Sequence, residues 1–259
     1  MTIPVDRIRM LNDGDILSGD YILYWMQQSQ RAEHNPALDV AMDEANRLKQ
    51  PLLVCFGLTD TYPEANLRHF RFMLEGLREV QTTLRNKGIQ MVVRISEPPK
   101  LAVQLGRRAS MIVCDAGYTR HQRQWRRTVA SEARCRVVQV EGDVVVPVAT
   151  VSPKAEYAAR TLRPRIHKHL EDWLVLQRSR RTRPASKEID IPGIDLADID
   201  RTLSRISVDR SVPAVSQWFR GGTREAKKRL RRFIRRHLSQ YDTHSNQPQT
   251  DDVSHMSPY

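Results

Sequence analysis

Three cysteines are the first residues to weigh for chemistry, because a thiolate can act as nucleophile, metal ligand or disulfide partner. Cys55 and Cys114 lie inside apolar runs, and Cys135 opens a third. The odd count and wide spacing fit neither a disulfide framework nor a zinc site, so all three read as small buried hydrophobes. The eight histidines add no metal site. His167 and His169 are two apart, and residues at that spacing do not share a helix face. The strongest chemical signal is charge. Of a formal net charge of +12, the whole excess is matched by Lys154–Arg236, with 22 Lys and Arg against 10 Asp and Glu. A block of that kind attracts polyanions, nucleic acid above all, while a solvated helical surface explains the charge alone equally well.

The elements that must position such groups follow from hydrophobic patterning. Five short apolar runs, Tyr21–Met26, Pro51–Leu58, Ile89–Ile95, Ser110–Asp115 and Cys135–Val140, are continuous enough for strands buried on both faces. Helical spacing fills the gaps. Asn35 and Pro36 predict an N-cap and first turn, followed by Leu38, Ala41, Ala45 and Leu48 on one face. A longer helix is predicted from Pro63 to Asn86, stopped by Gly88, and a third over Arg120–Ala133. Strands alternating with helices predict an α/β fold with a doubly wound, mostly parallel five-stranded sheet and right-handed crossovers.

In such sheets ligands bind beyond the carboxyl ends of the strands. That rim includes 27–35, 57–64 and 115–120, and carries Arg31, His34 and Asn35. Neither G-x-G-x-x-G nor G-x-x-x-x-G-K-[ST] is present, which excludes an ordinary dinucleotide or P-loop domain. No stretch approaches the length of a membrane span, and the start has no secretory pattern, so a cytoplasmic protein is expected.

Beyond Pro147 the pattern turns helical and basic. Residues 178–196 are polar and carry Pro184, Pro192 and Gly193, which predicts an exposed linker. A firm helix follows over Thr223–Leu238, with Thr223 as its N-cap. Ala226, Leu230, Phe233, Ile234 and Leu238 form its apolar stripe, with lysines and arginines elsewhere. The expected division is an α/β domain over 1–150, a connecting helical segment over 151–215, and the start of an all-α domain over 216–259.

Five pieces in order resemble the class II DNA photolyases: "YILYWMQQSQRAEHNPAL", "LRHFRFMLEGL", "VVPVATVSPKAEYAARTLRPRI", "GGTREAKKRLRRFI" and "VSHMSPY". The resemblance implies a Rossmann-like antenna domain, a helical domain that holds FAD, and blue-light repair of cyclobutane pyrimidine dimers in DNA by an electron from reduced flavin. It implies DNA as partner, no membrane, no metal and a monomer. An antenna chromophore of deazaflavin or folate type is implied for the rim, where Arg31, His34 and Asn35 could meet it, although Asn35 is more simply a cap. By the same match Ser254 and Ser257 would face the FAD phosphates, Met256 stands for a leucine of the flavin cradle, and Tyr241 matches a tyrosine that contacts the flavin. Val253 departs from the family's threonine, and "SNQPQ" lacks the family's arginine. In that family the last stretch opens the flavin-binding half, so residues 1–259 are expected to be a shortened form, inactive in repair alone. Two other readings stay open: a non-enzymatic α/β ligand-binding module with a basic DNA-binding extension, and a cryptochrome-like photosensor.

Overall fold

The computed structural model describes residues 3–175 and 189–259. Contacts divide the chain into two compact units, Met1–Thr59 with Thr83–Ile194, and Asp60–Thr82 with Asp195–Tyr259.

The first unit holds a six-stranded sheet: β1 Ile8–Met10, β2 Tyr21–Trp25, β3 Leu52–Leu58, β4 Gln90–Ile95, β5 Ala109–Asp115 and β6 Arg136–Val140. Its order is β1-β6-β5-β2-β3-β4. The five strands predicted from apolar runs are parallel neighbours, with Trp25 opposite both Cys55 and Cys114. The sixth, β1, was not among them. It is a three-residue, largely exposed edge strand, antiparallel to β6, and carries no buried run that patterning could detect.

Side chains alternate across the sheet. Tyr21, Leu23 and Trp25 point into a core with Leu53, Cys55, Ile112, Cys114 and Val137, closed by Leu101 and Leu105 of α3 (Pro98–Gly106) and Val129 of α4 (Arg120–Glu132). Ile22 and Tyr24 face the other way, where α1 (Pro36–Leu48) packs over β2 and β5. Helices on both faces explain why these strands are apolar throughout. All three cysteines are free and buried, and burial pushes the thiols of Cys55 and Cys114 far up, so neither is a nucleophile at neutral pH. Trp25 is wholly buried core, whereas Trp218 is exposed. Asn35 caps α1 as predicted, its side chain accepting from the Leu38 amide at 3.1 Å with Pro36 in the first turn.

The long helix α2 runs over Leu67–Asn86, later than expected, because Asn66 pairs with Asp209 in an isolated bridge. α3, nine residues that open on two prolines, was not among the predicted helices. The four-residue α5 (Val148–Val151) leads to α6 (Ala159–Trp173), which is basic and contains Pro164. The predicted linker lies partly outside the described residues, and its described end is exposed only in part, with Ile191 and Leu196 buried. Ile191 packs on the core, the Gln90 amide donates to its carbonyl, and the Ile194 amide donates to the Val93 carbonyl. Buried apolar residues among polar ones concealed this segment's role as a strap along β4.

In the second unit, α7 (Ile199–Leu203) is capped by Asp198 and tied by Asp200 to Arg71. α8 covers Thr223–Arg236, ending two residues before the expected Leu238, and its N-cap is Gly222 rather than Thr223. α9 covers Tyr241–His244. The reason for the two glycines before α8 is steric. The Gly221 amide donates to Glu75 at 2.8 Å, and a Cβ there would sit 1.9 Å from the Phe72 carbonyl oxygen. Gly222 has φ of +115°, a region closed to other residues, and a Cβ would meet the Glu79 carboxylate at 2.6 Å. Glu79 accepts from the Arg224 amide at 3.0 Å, so carboxylates of α2 occupy the positive end of α8.

The clash at Gly221 sets an expectation. Gly221→Ala should destabilise the second unit by roughly 3 kcal/mol in urea unfolding. Gly88→Ala, whose Cβ meets nothing within 4 Å, should cost only the strain of its left-handed φ, about 1–2 kcal/mol. Equal costs would refute the close-approach account.

Candidate functional site

Two places concentrate polar groups: the carboxyl-end rim of the sheet and the C-terminal segment after α8. They lie in different units.

At the rim, β2 lies between β3 and β5, so the direction of winding reverses between β2 and β5. This is the crevice where open α/β sheets take ligands. Here Asp115, the last residue of β5, fills it. Its carboxylate is buried and accepts from the Gln27 amide at 2.9 Å, the Gln28 amide at 2.5 Å, the Ser29 amide at 2.9 Å and the Tyr24 hydroxyl at 3.1 Å. Three successive backbone N–H groups converging on one anion form the kind of nest that elsewhere holds phosphate. The chain supplies the anion itself, which is the structural counterpart of the missing glycine-rich motif. Burial holds the Asp115 carboxyl above its ordinary pKa, while the three amides pull it down. Burial and the neighbouring carboxylate raise the Tyr24 phenol well above its usual value.

Around this hub the rim is tightly wired. Asn35 donates to Tyr24 at 3.0 Å and to the Ser29 and Arg31 carbonyls. Ser29 donates to Asp143 at 2.7 Å. Gln122 on α4 donates to Gln28 at 2.7 Å. Arg31, expected as a ligand contact, spends its guanidinium on Asp143 at 2.9 Å and on the Gly142 and His34 carbonyls. It is a staple of the loop. His34 takes a φ of 48° at the turn that staple holds. Among the buried polar atoms without a partner in the described residues are Gln27 Oε1, an acceptor, and Arg126 Nη1, a donor. Arg126 is held by Gln139 at 2.8 Å and the Gly117 carbonyl at 2.7 Å.

The C-terminal segment carries Tyr241, Ser254, Met256 and Ser257. Tyr241 is 41% exposed, edge-on to Phe233 with ring centres 5.5 Å apart. The Met256 amide donates to the Ser254 hydroxyl at 3.3 Å, and Ser257 is exposed in a turn closed by the Tyr259 amide and Met256 carbonyl at 2.9 Å. What draws this stretch to the end of α8 is Asp252. Its two carboxylate oxygens accept from Nδ1 of His237 and of His244, each at 2.6 Å. Tyr241 lies between those histidines in sequence, and Ser254 lies two residues after the aspartate. Tyr259 anchors the far end, donating to the Arg220 carbonyl at 2.8 Å and packing against Phe72. Sequence reasoning did not single out Asp252, His237 or His244. The signal present was an Asp in a tail with histidines at its base, which has no fixed spacing. Asp115 was detectable as a lone carboxylate ending an apolar run. Among the described residues no group of three or more His, Cys, Asp or Glu is placed to hold a metal ion, and no helix is long and apolar enough to cross a membrane.

Fold and rim together define a parallel α/β domain that closes its own phosphate crevice, joined to a helical unit with a hydroxyl-bearing tail. Comparison with known proteins agrees. A family model described as DNA photolyase matches residues 22–186, and the chain belongs to that family. The deoxyribodipyrimidine photo-lyase of Methanothermobacter thermautotrophicus is 41% identical over 258 residues, covering 99% of this chain and 57% of that protein. The deoxyribodipyrimidine photo-lyase of Potorous tridactylus is 31% identical over 259 residues, 98% of this chain and 48% of that one. The chain thus spans about half the length of the curated relatives it matches. Among solved structures, a class III photolyase from Agrobacterium tumefaciens aligns with a TM-score of 0.66 at 14% identity, over 93% of this chain and 50% of that one. An archaeal photolyase from Sulfolobus tokodaii, described with two FAD molecules, aligns at 0.60 and 19% identity, over 92% and 50%. These two likenesses speak to fold.

Two outcomes follow. Asp115→Asn keeps one acceptor oxygen for four donors, and should cost about 2–4 kcal/mol in urea unfolding; a loss under 1 kcal/mol would remove Asp115 as the hub. Hydrogen bonds from His237 and His244 hold the Asp252 carboxyl below its ordinary value of 3.8. The clamp therefore contributes stability above the unfolded carboxylate's pKa and loses it as pH falls through the folded one. NMR amide shifts of Ser254 and Met256 should be flat near neutral pH and move on acidification below it, while Asp252→Asn should show the released shifts at neutral pH.

Proposed function

We propose that this chain carries the antenna domain and the opening of the flavin domain of a class II deoxyribodipyrimidine photo-lyase, divided as 1–150, 151–215 and 216–259. The observation that carries the reading is the 41% identity to a deoxyribodipyrimidine photo-lyase along 99% of the chain. The class II assignment rests on the five ordered sequence pieces.

The residues present fit a flavin dinucleotide. Phosphates are held by hydroxyls and backbone amides in turns, and Ser254 and Ser257 offer both. Tyr241 offers an aromatic face and a hydroxyl, and Met256 a deformable apolar contact. Val253 brings no hydroxyl, so fewer donors reach the phosphates than in the family pattern. FAD, when bound, supplies the light-driven electron that opens a cyclobutane pyrimidine dimer in DNA. The work of the chain's own residues is to hold and orient: Asp252 keeps the Ser254–Ser257 stretch against the base of α8, and Tyr259 fixes its far end. The antenna, of deazaflavin or folate type, is proposed for the rim. The unpartnered Gln27 oxygen and Arg126 nitrogen are a ready acceptor and donor for a heterocycle bearing N–H and C=O groups. Arg31, His34 and Asn35 support that site from behind, through the loop they hold, rather than by contact.

Flavin fluorescence during titration of the full chain with FAD tests the proposal. Binding is expected, and Ser254→Ala with Ser257→Ala together should weaken it roughly 10-fold or more, since hydrogen bonds to charged groups contribute about 1.5–3 kcal/mol. Unchanged affinity in the double variant would remove these residues from the site. Blue illumination of the reduced complex with a dimer-containing oligonucleotide, read as recovered thymine absorbance, tests the reaction. No recovery is expected from this chain by itself, which spans about half the length of the relatives it matches; recovered absorbance would overturn that expectation.

A further inference from the structure

The helix α8 carries a second feature that the flavin reading does not use. Lys228, Arg231, Arg232, Arg235 and Arg236 line one open groove of about 480 Å³ along its side. Arg231, Arg232, Arg235 and Arg236 are exposed and have no carboxylate partner among the described residues. The only acidic residue of α8 is Glu225, in its first turn, 3.7 Å from Lys228 and 3.3 Å from Arg229. No Asp or Glu follows until Asp242. Four arginines crowded without a carboxylate partner, beside Lys228, repel one another, an arrangement that costs stability unless an anion is bound.

The direction of that face identifies the anion. At about 100° per residue the five cations span an arc of roughly 140°, centred opposite Ala226, Leu230 and Ile234. A bilayer that embedded the apolar stripe would leave the centre of the cationic arc facing water. A rod of negative charge laid along the arc meets all five. From Lys228 to Arg236 the helix rises about 12 Å, which spans about three phosphates of one DNA strand at roughly 3.4 Å of axis each. Four of the five are arginines, whose forked donors match phosphate oxygens. Contacts to phosphate position a protein without reading base sequence, so the contact inferred is to backbone.

We propose that this face of α8 is a contact site for the phosphate backbone of duplex DNA, engaged without regard to lesion or base sequence. It requires neither flavin nor light, so it stands or falls separately from the repair reading.

Fluorescence anisotropy of the full chain with an undamaged labelled duplex, in the dark and without FAD, over about 50–200 mM salt, tests it. The variant Arg231→Gln, Arg232→Gln, Arg235→Gln should flatten the slope of log affinity against log salt by about 3. It should also bind at least roughly 10-fold more weakly at the low end of that salt range. Arg160→Gln, Arg163→Gln, Lys168→Gln removes the same charge from exposed positions on α6 and should leave the slope within about 1 of wild type. The corresponding triple Arg→Lys variant of α8 should retain the wild-type slope. Should the Gln triple lose its helical circular dichroism, each single Gln variant carries the same test, at about 1 in slope apiece. Equal losses from α6 and α8, an unchanged α8 variant, or co-sedimentation with phosphatidylserine vesicles in place of salt-sensitive DNA binding would each overturn the proposal.

Discussion

A carboxylate removed from water costs several kcal/mol unless its lone pairs find donors. Asp115 is wholly buried at the end of a central strand, and four donors meet it. Three are consecutive amides of the loop leaving β2, so satisfying the charge dictates the path of that loop. Once Gln27–Ser29 is bent around Asp115, Asn35 is brought to Tyr24 and α1 starts where its cap can work. Arg31 then reaches Asp143, and Gln28 reaches Gln122 on α4. The rim of the first unit is the consequence of one buried anion. The crevice that would take an external phosphate is thereby already neutralised by the chain itself.

The second unit uses charge in a different way. Glu75 and Glu79 are spent on the amides that start α8, and Glu225 on Lys228 and Arg229. Among the described residues Arg231, Arg232, Arg235 and Arg236 are left without a carboxylate, and Arg229 also packs against Phe219 and Tyr259. Acidic groups thus set the helix in place from one end while its outer face stays cationic. The tail is then held by a carboxylate shared between two imidazoles, whose hydrogen bonds keep the Asp252 carboxyl below its ordinary value, so the clamp weakens as acid protonates that carboxyl.

Much of this architecture was legible in the chain. Continuous apolar runs marked the five parallel strands, since strands covered on both faces have no polar side to interrupt them. Asn35 with Pro36 marked a helix start, because cap and first turn are determined within a few residues. The edge strand β1, the proline-opened α3 and the strap at Ile191 were not legible. Each is stabilised by partners far away in sequence, and none has a periodicity of its own. The family was legible too, from ordered short pieces.

Composition, periodicity and local capping by themselves determined the fold class, the burial of the cysteines, the basic character of α8 and the exclusion of a phosphate loop, because these depend on neighbours within a turn or two. Tertiary structure alone decided what the polar residues do. Arg31 proved a staple because Asp143 is 112 positions away and folding brings it within 2.9 Å. Asp115 became the hub only when β5 lay beside β2, and Asp252 became a clamp only when the tail turned back onto His237 and His244. A side chain's chemistry is set by its partners, and partners distant in sequence are chosen by the packing of the whole chain.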